Sequence, residues 1–222
     1  MFPRIINDIY RTGTMVRDER GTWTRELVGY QIHFPSPFVP IPTLPESISK
    51  TVDAPFWVDG AKMARYVDRG WISPHNPDGH SYTYRHRLDL ALGQMAARLA
   101  KNLNSRRVVG TTLQSHDLVD AEIPCMDLLQ FLVRDNQLIT RVDFRSLDAW
   151  GALPGDLAGL QAIAQEFWAK LNYQSTGLAF GPLILQAGSI HIYERDFDVV
   201  KRYLSWINEN KCPYFKPRLR FR

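Results

Sequence analysis

The most reactive side chain that the sequence offers is a cysteine thiol, and only Cys125 and Cys212 carry one. Two cysteines are too few for a disulfide scaffold and lack the paired spacing of metal ligands, so we expect two free thiols. Cys125 follows Pro124 at the start of an apolar run. A lone thiol in such a place is commonly buried and inert, so a chemical role requires partners that activate it.

Arginines in three parts of the sequence are candidates for these partners. Arg106 and Arg107 precede a Val-Val pair, Arg145 closes a strand-like run, and Arg20 lies in a polar N-terminal segment. Taken singly, such arginines are typical of an exposed basic surface. Guanidinium groups bind phosphate through paired hydrogen bonds, and a nearby positive charge lowers the pKa of a thiol. The arginines therefore predict a site that holds a phosphomonoester and favours the thiolate of Cys125.

Two further polar groups of residues follow strand-like runs. Ser146 and Asp148 come directly after Arg145, where a plain polar turn would also account for them. His191 and Tyr193 alternate with Ile192, so their side chains share one face of a strand. Each group is weak alone, and together they predict a polar site for a ligand that carries hydroxyl groups.

Helical elements that position these residues are predicted by apolar side chains recurring at helical spacing. Asp156, which comes after a Pro-Gly pair, is interpreted as the N-cap of the second long helix. Three long helices are predicted at residues 86–103, 156–172 and 195–209, and a short one at 60–68.

Strand-like runs alternate with these helices along the chain. The pair Asp135-Asn136 is typical of a hairpin turn between two runs, and Gly181-Pro182 interrupts the last. Strands with interspersed long helices predict the α+β class, with helices packed against a mixed sheet. The predicted strands are residues 23–34, 107–113, 126–134, 137–145 and 177–193.

The composition sets outer limits on function. A chain of 222 residues is long enough for a sizeable core, and we expect a single domain over residues 1–222. Its formal charge of +4 suits an anionic partner, and the charge alone does not choose between nucleic acid and a small phosphorylated substrate. The arginine site described above favours the small substrate, so a nucleic-acid partner is not expected. No apolar run approaches the roughly 18–20 residues of a membrane span, so we expect a cytoplasmic protein without a membrane partner.

Five short motifs occur in a fixed order over residues 105–195. In this order they resemble thymidylate synthase and its relatives, the dCMP and CMP hydroxymethylases. Residues 18–22, which include Arg20, resemble the N-terminal phosphate loop of the same family. The motifs are Ser105-Arg106-Arg107-Val108-Val109, Pro124-Cys125 with Leu129-Gln130-Phe131-Leu132-Val133, Arg145-Ser146-Leu147-Asp148, Leu153-Pro154, and Gly188-Ser189-Ile190-His191-Ile192-Tyr193.

The resemblance implies a fold and a reaction. The fold is a large mixed β-sheet with helices on one side, and the other face of the sheet forms a homodimer interface. Cys125 is the nucleophile that adds to C6 of a pyrimidine nucleoside monophosphate, after which C5 attacks a one-carbon unit. The carbon comes from 5,10-methylenetetrahydrofolate, a reduced folate that acts as co-substrate, and no metal is involved.

The resemblance also implies roles for the matched residues. Arg20 and Arg145 bind the phosphate from one subunit, with Ser146 adding a hydrogen bond. Arg106 and Arg107 reach the same phosphate from the other subunit, so the two active sites of the dimer are shared. The sugar is held by His191 and Tyr193, the base is bound by Gln130 and Asp156, and Asp148 lies between base and folate.

Departures from the synthase motifs concern the base and the pocket wall. Asp156 stands where thymidylate synthases have an Asn that reads uracil. A carboxyl group accepts from the N4 amine of cytosine and, when protonated, donates to N3, so Asp156 favours cytosine. Gly155 replaces a Phe that lines the folate pocket. A catalytic Glu of the family has no clear counterpart; Glu46 and Asp59 are candidates.

The sequence therefore predicts folate-dependent C5 hydroxymethylation of dCMP or CMP. One alternative is a thymidylate synthase that methylates dUMP, or a dUMP hydroxymethylase. Another carbon carrier, such as a methanopterin, is compatible with the unmatched residues 35–85. An alternative of another class is a non-catalytic nucleotide- or RNA-binding protein with the same fold.

Overall fold

The structure is a computed structural model of the chain. Cys212 and the basic stretch 216–222 lie outside its described residues. None of the helices in the described ranges combines the length and apolar character that crossing a lipid bilayer requires. The structure describes residues 1–35, 38–76, 79–119, 122–173 and 177–210.

Six strands form one mixed sheet. They are β1 (Thr14–Arg17), β2 (Trp23–Phe34), β3 (Val109–Thr111), β4 (Met126–Arg134), β5 (Gln137–Asp148) and β6 (Ala179–Tyr193). Their spatial order is β1-β2-β6-β5-β4-β3, and every neighbouring pair is antiparallel except the parallel pair β5 and β6. The predicted α+β class with a mixed sheet is thereby confirmed.

Helices account for most of the remaining chain. They are α1 (Phe2–Thr12), α2 (Glu46–Ser49), α3 (Gly60–Val67), α4 (Tyr84–Lys101), α5 (Leu153–Tyr173) and α6 (Phe197–Glu209). A π-helical turn, Asp68–Ile72, directly follows α3. The three long helices and the short one predicted from the sequence are confirmed, with ends that shift by a few residues.

Apolar side chains on one face of the sheet pack against the helices. Leu138 and Val142 of β5 are fully buried, whereas Arg141 between them is partly exposed on the opposite face. The ring of Phe131 from β4 stacks on that of Phe167 from α5, with centroids 3.8 Å apart. Alternation along the strands thus leaves the other face of the sheet partly exposed, with no helix of the described residues packed against it.

The connection from β5 through α5 to β6 determines where the polar residues meet. Since β5 and β6 are parallel, their C-terminal ends lie at the same edge of the sheet. The register sets Ser146 opposite Ser189 and Asp148 opposite His191. Residues that are more than 40 positions apart in the sequence are brought side by side in this way.

The hairpin between β4 and β5 follows the sequence prediction. Asp135 and Asn136 have φ angles of 48° and 56°, and this pair of left-handed residues is the type I′ arrangement that matches strand twist. The interruption predicted at Gly181-Pro182 is wrong, because β6 is continuous there. Pro182 is tolerated because the pairing with β2 ends at Leu183 and the pairing with β5 is irregular at this point.

The start of α5 also differs from the prediction. The helix begins at Leu153, so Asp156 lies within its first turn, and the backbone N–H of Asp156 donates to the carbonyl of Ala152 at 3.0 Å. The interpretation of Asp156 as an N-cap is therefore wrong. Its carboxyl group is not needed to cap the helix and is available for another purpose.

Candidate active site

Cys125 and Arg145 lie side by side at the edge of the sheet where β4 begins. The backbone N–H of Arg145 donates to the carbonyl of Cys125 at 2.9 Å. Its guanidinium group donates to the carbonyls of Pro124 at 2.9 Å and Ile123 at 2.7 Å, and lies 3.9 Å from the Cys125 sulfur. These bonds hold a positive charge beside the thiol, as the sequence predicts.

The acidity of the thiol is set by two opposing effects. Burial, and to a lesser extent the charges of Asp156 and Asp127, raise the pKa of Cys125 above its ordinary value, while the charge of Arg145 and a hydrogen bond with the Tyr82 side chain lower it. Burial is the larger effect, so the expectation of a lowered pKa is wrong for this chain alone. Partners that stabilise the thiolate further would have to arrive with the substrate or with a second subunit.

Asp156 is buried beside the thiol, and its carboxyl group accepts a side-chain hydrogen bond. Tyr66 of α3 donates its hydroxyl to Oδ1 of Asp156 at 2.6 Å, and only 3% of the surface of Asp156 is exposed. Burial raises the pKa of Asp156 to about 7, the Tyr66 hydrogen bond lowers it, and the charge of Asp148 raises it. This carboxyl is therefore divided between its neutral and ionised forms near neutral pH.

Asp148 is the second carboxylate of the polar cluster that also contains Cys125, Arg145 and Asp156. Its Oδ1 accepts from the backbone N–H groups of Trp150 at 3.1 Å and Gly151 at 2.8 Å. Burial is the largest influence and raises the pKa of Asp148 to about 6. A Cβ at Gly151 would lie 2.4 Å from Oδ2, so a larger residue at this turn would displace the Asp148 carboxylate. The side chain is thus fixed by backbone donors at the end of β5.

His191 and Tyr193 lie together at the end of β6. Their rings meet edge to face with centroids 4.9 Å apart, and the Ser189 hydroxyl is 3.5 Å from Nδ1 of His191. Burial lowers the pKa of His191, which favours the neutral ring. Arg20 influences the pKa of Tyr193, so its guanidinium group is near this pair. The structure therefore brings Arg20 to the same end of the sheet as the predicted sugar-binding residues.

Arg106 and Arg107 are placed elsewhere on this chain. Both are exposed and line a surface cavity of about 690 Å³ at the C-terminal end of α4. The Gln130 amide donates to the carbonyl of Arg106 at 3.1 Å, and its oxygen lies 3.4 Å from Arg141. Gln130 is thus grouped with the arginine pair and not with Cys125, so the contacts of this chain do not support its predicted role at the base.

A cavity of about 460 Å³ lies next to the cluster, which it adjoins through Tyr66 and Tyr82. Its wall is largely aromatic, and basic side chains of α3 and the following turn line part of it. The aromatic residues are Phe56, Tyr66, Trp71, Tyr82 and Tyr84, and the basic ones are Lys62, Arg65 and Arg69.

Comparison with known sequences identifies the family. The thymidylate synthase family profile matches residues 75–221. The chain belongs to the thymidylate synthase family. Members of this family transfer a one-carbon unit from methylenetetrahydrofolate to a pyrimidine, so the chain belongs to a family of folate-dependent one-carbon transferases.

Archaeal members of the thymidylate synthase family align with most of the chain. The "Putative thymidylate synthase" of Methanothermobacter thermautotrophicus is 28% identical over 215 residues, which are 91% of this chain and 93% of the relative. The protein of the same description from Methanococcoides burtonii is 28% identical, with coverage of 92% and 90%. A third, from Methanocaldococcus jannaschii, is 35% identical over 55% of this chain and 60% of the relative.

The family's co-substrate fits the aromatic cavity. A reduced folate has a flat bicyclic pterin, an aminobenzoate ring and an anionic tail. Aromatic walls such as Phe56 and Tyr82 suit the rings, and Lys62 and Arg65 of α3 suit the tail. Within the described ranges, no cluster of three or more His, Cys, Asp or Glu side chains could hold a metal ion.

Two site residues of this thymidylate synthase family member are not predicted from the sequence. Tyr66 and Tyr82 both contact the cluster, yet they lie in the Pro- and Gly-rich part of the chain that matched the family motifs poorly. The candidates for the catalytic Glu lie outside the cluster: Glu46 is exposed and pairs with Lys50, and Asp59 caps α3 by accepting from two backbone N–H groups. The two tyrosines are identified only by their proximity to the cluster in the folded structure.

Proposed function

We propose that this protein hydroxymethylates C5 of a cytidine monophosphate, dCMP or CMP, through a covalent bond between Cys125 and C6. The observation that carries the proposal is the environment of Asp156. A buried carboxyl with a pKa of about 7 is a hydrogen-bond donor on one oxygen and an acceptor on the other in its neutral form. Cytosine requires an acceptor for its N4 amine and a donor for N3, and neutral Asp156 supplies both.

The nucleophilic step follows from the position of Cys125. The Sγ thiolate forms a bond to C6, and the electron pair of the C5–C6 double bond moves to C5. C5 then bonds to the carbon of the methylene donor and loses its hydrogen as a proton. The bond between this carbon and the folate nitrogen breaks, which releases tetrahydrofolate and leaves an exocyclic methylene at C5. Water adds to the methylene carbon and loses a proton, and expulsion of Sγ from C6 restores the C5–C6 double bond to give the hydroxymethyl group. Addition of the thiolate replaces one difficult substitution by easier steps.

Attack by water, and not by hydride, is supported by the mouth of the cavity. Ser81 and Glu122 are exposed there, and the Ser81 hydroxyl donates to the carboxylate of Glu122 at 2.6 Å. Both residues line the same cavity as Tyr82, which forms a hydrogen bond with Cys125. Hydride transfer requires a site from which water is excluded, and a polar mouth next to the thiol is poorly suited to that.

The phosphate site is proposed to be shared between two subunits. Arg145 and Arg20 lie at the Cys125 end of the sheet, whereas Arg106 and Arg107 are exposed in a separate cavity of the same chain. A homodimer that pairs the helix-free faces of two sheets would bring the arginine pair of one subunit to the phosphate held by the other. Four guanidinium groups would then surround a group with nearly two negative charges.

Release of tritium from C5 tests the proposal directly. The protein is incubated with methylenetetrahydrofolate and 5-tritiated dCMP, CMP or dUMP, and we expect release from a cytosine nucleotide with a 5-hydroxymethyl product. Cys125→Ser should abolish release while retaining nucleotide binding, and Cys212→Ser is the matched control that should leave release unchanged. Binding without release in the unsubstituted protein would instead favour a non-catalytic nucleotide-binding protein.

Methylation of dUMP is the second candidate, and the names of the archaeal relatives favour it. The two reactions leave different folates: hydride transfer yields dihydrofolate, and hydroxymethylation yields tetrahydrofolate. Dihydrofolate absorbance that appears with dUMP and not with dCMP would establish the synthase and overturn the hydroxymethylase. The same assay with a tetrahydromethanopterin donor tests whether another carbon carrier is used.

A further inference from the structure

Tyr66 is the side chain that donates a hydrogen bond to the carboxyl group of Asp156. Its hydroxyl donates to Oδ1 at 2.6 Å, and burial keeps the pKa of Tyr66 well above 10, so the phenol stays protonated. Within the described part of the chain, this is the one side-chain hydrogen bond found for the Asp156 carboxyl. Oδ2 is therefore the carboxyl oxygen that remains available to a ligand.

The position of Tyr66 depends on the absence of a side chain at Gly155. A Cβ there would lie 2.8 Å from the ring of Phe56 and 2.9 Å from that of Tyr66. These two rings pack against each other with centroids 4.8 Å apart. Gly155 thus allows the tyrosine ring to reach Asp156, and Phe56 supports the ring from its other side.

The hydrogen bond from Tyr66 determines which carboxyl oxygen can carry a proton. A neutral carboxyl has one O–H donor, and its other oxygen accepts. If the proton were on Oδ1, it would oppose the Tyr66 proton, and the buried phenol would lose its acceptor. Leaving such a group unsatisfied is unfavourable, so the proton belongs on Oδ2.

The location of this proton decides which pyrimidine is bound. Cytosine presents an acceptor at N3 and a donor at N4, whereas uracil presents a donor at N3 and an acceptor at O4. A neutral carboxyl that could carry its proton on either oxygen would bind both bases. If Oδ2 faces N3 and Oδ1 faces the substituent at C4, a proton confined to Oδ2 matches cytosine and not uracil.

We propose that Tyr66 is a positioning residue that confines the Asp156 proton to Oδ2 and thereby sets the preference between cytosine and uracil. The inference rests on the proposed function in one respect, namely that Asp156 reads the base. It adds that a residue of α3, outside the matched motifs, gives the carboxyl its selectivity.

Nucleotide affinity, measured without the co-substrate, tests this role separately from catalysis. Dissociation constants for dCMP and dUMP are determined for the unsubstituted protein and for Tyr66→Phe. We expect the dissociation constant of dUMP divided by that of dCMP to fall about tenfold towards unity in Tyr66→Phe, since the proton could then lie on either carboxyl oxygen. Tyr30→Phe is the matched control, because Tyr30 also donates to a carboxylate, Asp8, at 2.8 Å, and should leave the ratio unchanged.

A second readout is the pH dependence of dCMP binding, which a merely structural role would not move. The Tyr66 hydrogen bond lowers the pKa of Asp156, so its removal raises that pKa. Since neutral Asp156 binds cytosine, binding of dCMP by Tyr66→Phe should persist to higher pH than in the unsubstituted protein. An unchanged pH dependence together with an unchanged ratio would overturn the inference.

Gly155→Ala provides an independent variant in case Tyr66→Phe does not fold. It retains the hydroxyl but pushes the tyrosine ring away from Asp156, so the ratio should fall in the same direction. Equal affinity for both nucleotides in the unsubstituted protein would also overturn the role of Tyr66. If the ratio responds as expected but no tritium is released from C5, the proposed catalysis fails and the role of Tyr66 in base selection stands.

Discussion

The thiol of Cys125 illustrates how burial and charge compete at one atom. Burial raises its pKa, and a single neighbouring guanidinium group, that of Arg145, does not compensate. If Arg106 and Arg107 of another subunit arrive with the phosphate, they bring further positive charge to the site. The nucleophile of this protein would then be activated mainly in the assembled complex with substrate, which limits side reactions of the free thiol.

Asp156 gives a prediction about stability and pH. Its pKa is about 7 in the folded chain and about 3.8 when unfolded, so the folded state binds the extra proton between these values. Because ionising the buried carboxyl costs free energy, the stability of the protein falls as the pH rises from about 4 to about 7 and then levels off.

Asp156→Asn removes this dependence. Relative to the unsubstituted protein, its gain in the free energy of unfolding should be larger at about pH 8 than at about pH 5 by about 3 kcal/mol, since one pKa unit corresponds to about 1.4 kcal/mol. Urea unfolding at the two pH values measures the difference. A gain that is the same at both would show that Asp156 is not the group with the raised pKa.

At the level of single residues, the sequence predicts the matched motifs well and their neighbours poorly. Arg145 beside Cys125 and His191 beside Tyr193 follow from motif order and strand alternation, and the structure places them so. Tyr66 was not predicted because its contact with Asp156 joins residues 90 positions apart, and no local pattern encodes such a contact. The structure does not support the base-binding role expected for Gln130, because its side-chain amide donates to the carbonyl of Arg106.

Helix α5 packs against the π-helical turn Asp68–Ile72 through a glycine. A Cβ at Gly159 would lie 2.1 Å from the ring of Trp71, a side chain that is completely buried. This close approach brings the turn, and with it α3, against the N-terminal half of α5. The position of Tyr66 over Asp156 therefore depends on a helix–helix contact as well as on its own hydrogen bond.

Gly159→Ala is expected to destabilise the protein by about 1–3 kcal/mol, because the added methyl group overpacks a core that has no room to yield. Gly93→Ala in α4 is the matched control, since its Cβ would meet nothing within 4 Å. That control should stabilise the protein by about 0.5–1 kcal/mol through helix propensity alone. Urea midpoints of both variants measure the effects, and equal shifts in the two would contradict the packing argument.

The elements themselves were largely predictable, and the exceptions have physical causes. Long amphipathic helices and the β4–β5 hairpin follow from periodicity and from Asp135-Asn136. Helix α1 is absent from the sequence predictions, although Phe2, Ile5 and Ile9 recur at helical spacing and are buried, and a Pro is well accommodated in a first helical turn.

In the whole molecule, the arginines proposed to bind phosphate lie in two places, and one chain does not bring them together. Arg106 and Arg107 line a cavity at the end of α4, away from Arg145 and Arg20. The sheet face without helices carries the polar contact between Arg141 and Asp143 at 2.7 Å and partly exposed apolar side chains around it. Such a face is suited to pair with its own copy in a symmetric dimer.

Subunit complementation tests the shared site. Cys125→Ser and the double variant Arg106→Ala with Arg107→Ala should each be inactive alone. When the two are unfolded and refolded together, half of the dimers are mixed, and one of the two sites in each mixed dimer is intact. We therefore expect tritium release at about a quarter of the unsubstituted level. No recovery, with mixed dimers present, would show that each site draws its arginines from its own chain.

The parallel pairing of β5 with β6 has a consequence for the order of folding events. The chain between Asp148 and His191 includes the 21 residues of α5, so the pairing of β5 with β6 joins distant parts of the sequence. The β4–β5 hairpin, in contrast, joins adjacent segments. Non-local pairing incurs its loop-closure entropy before it gains contacts, so it forms slowly. During refolding, the hairpin amides should gain protection from hydrogen exchange earlier than those of β6, and competence to bind nucleotide should be acquired last.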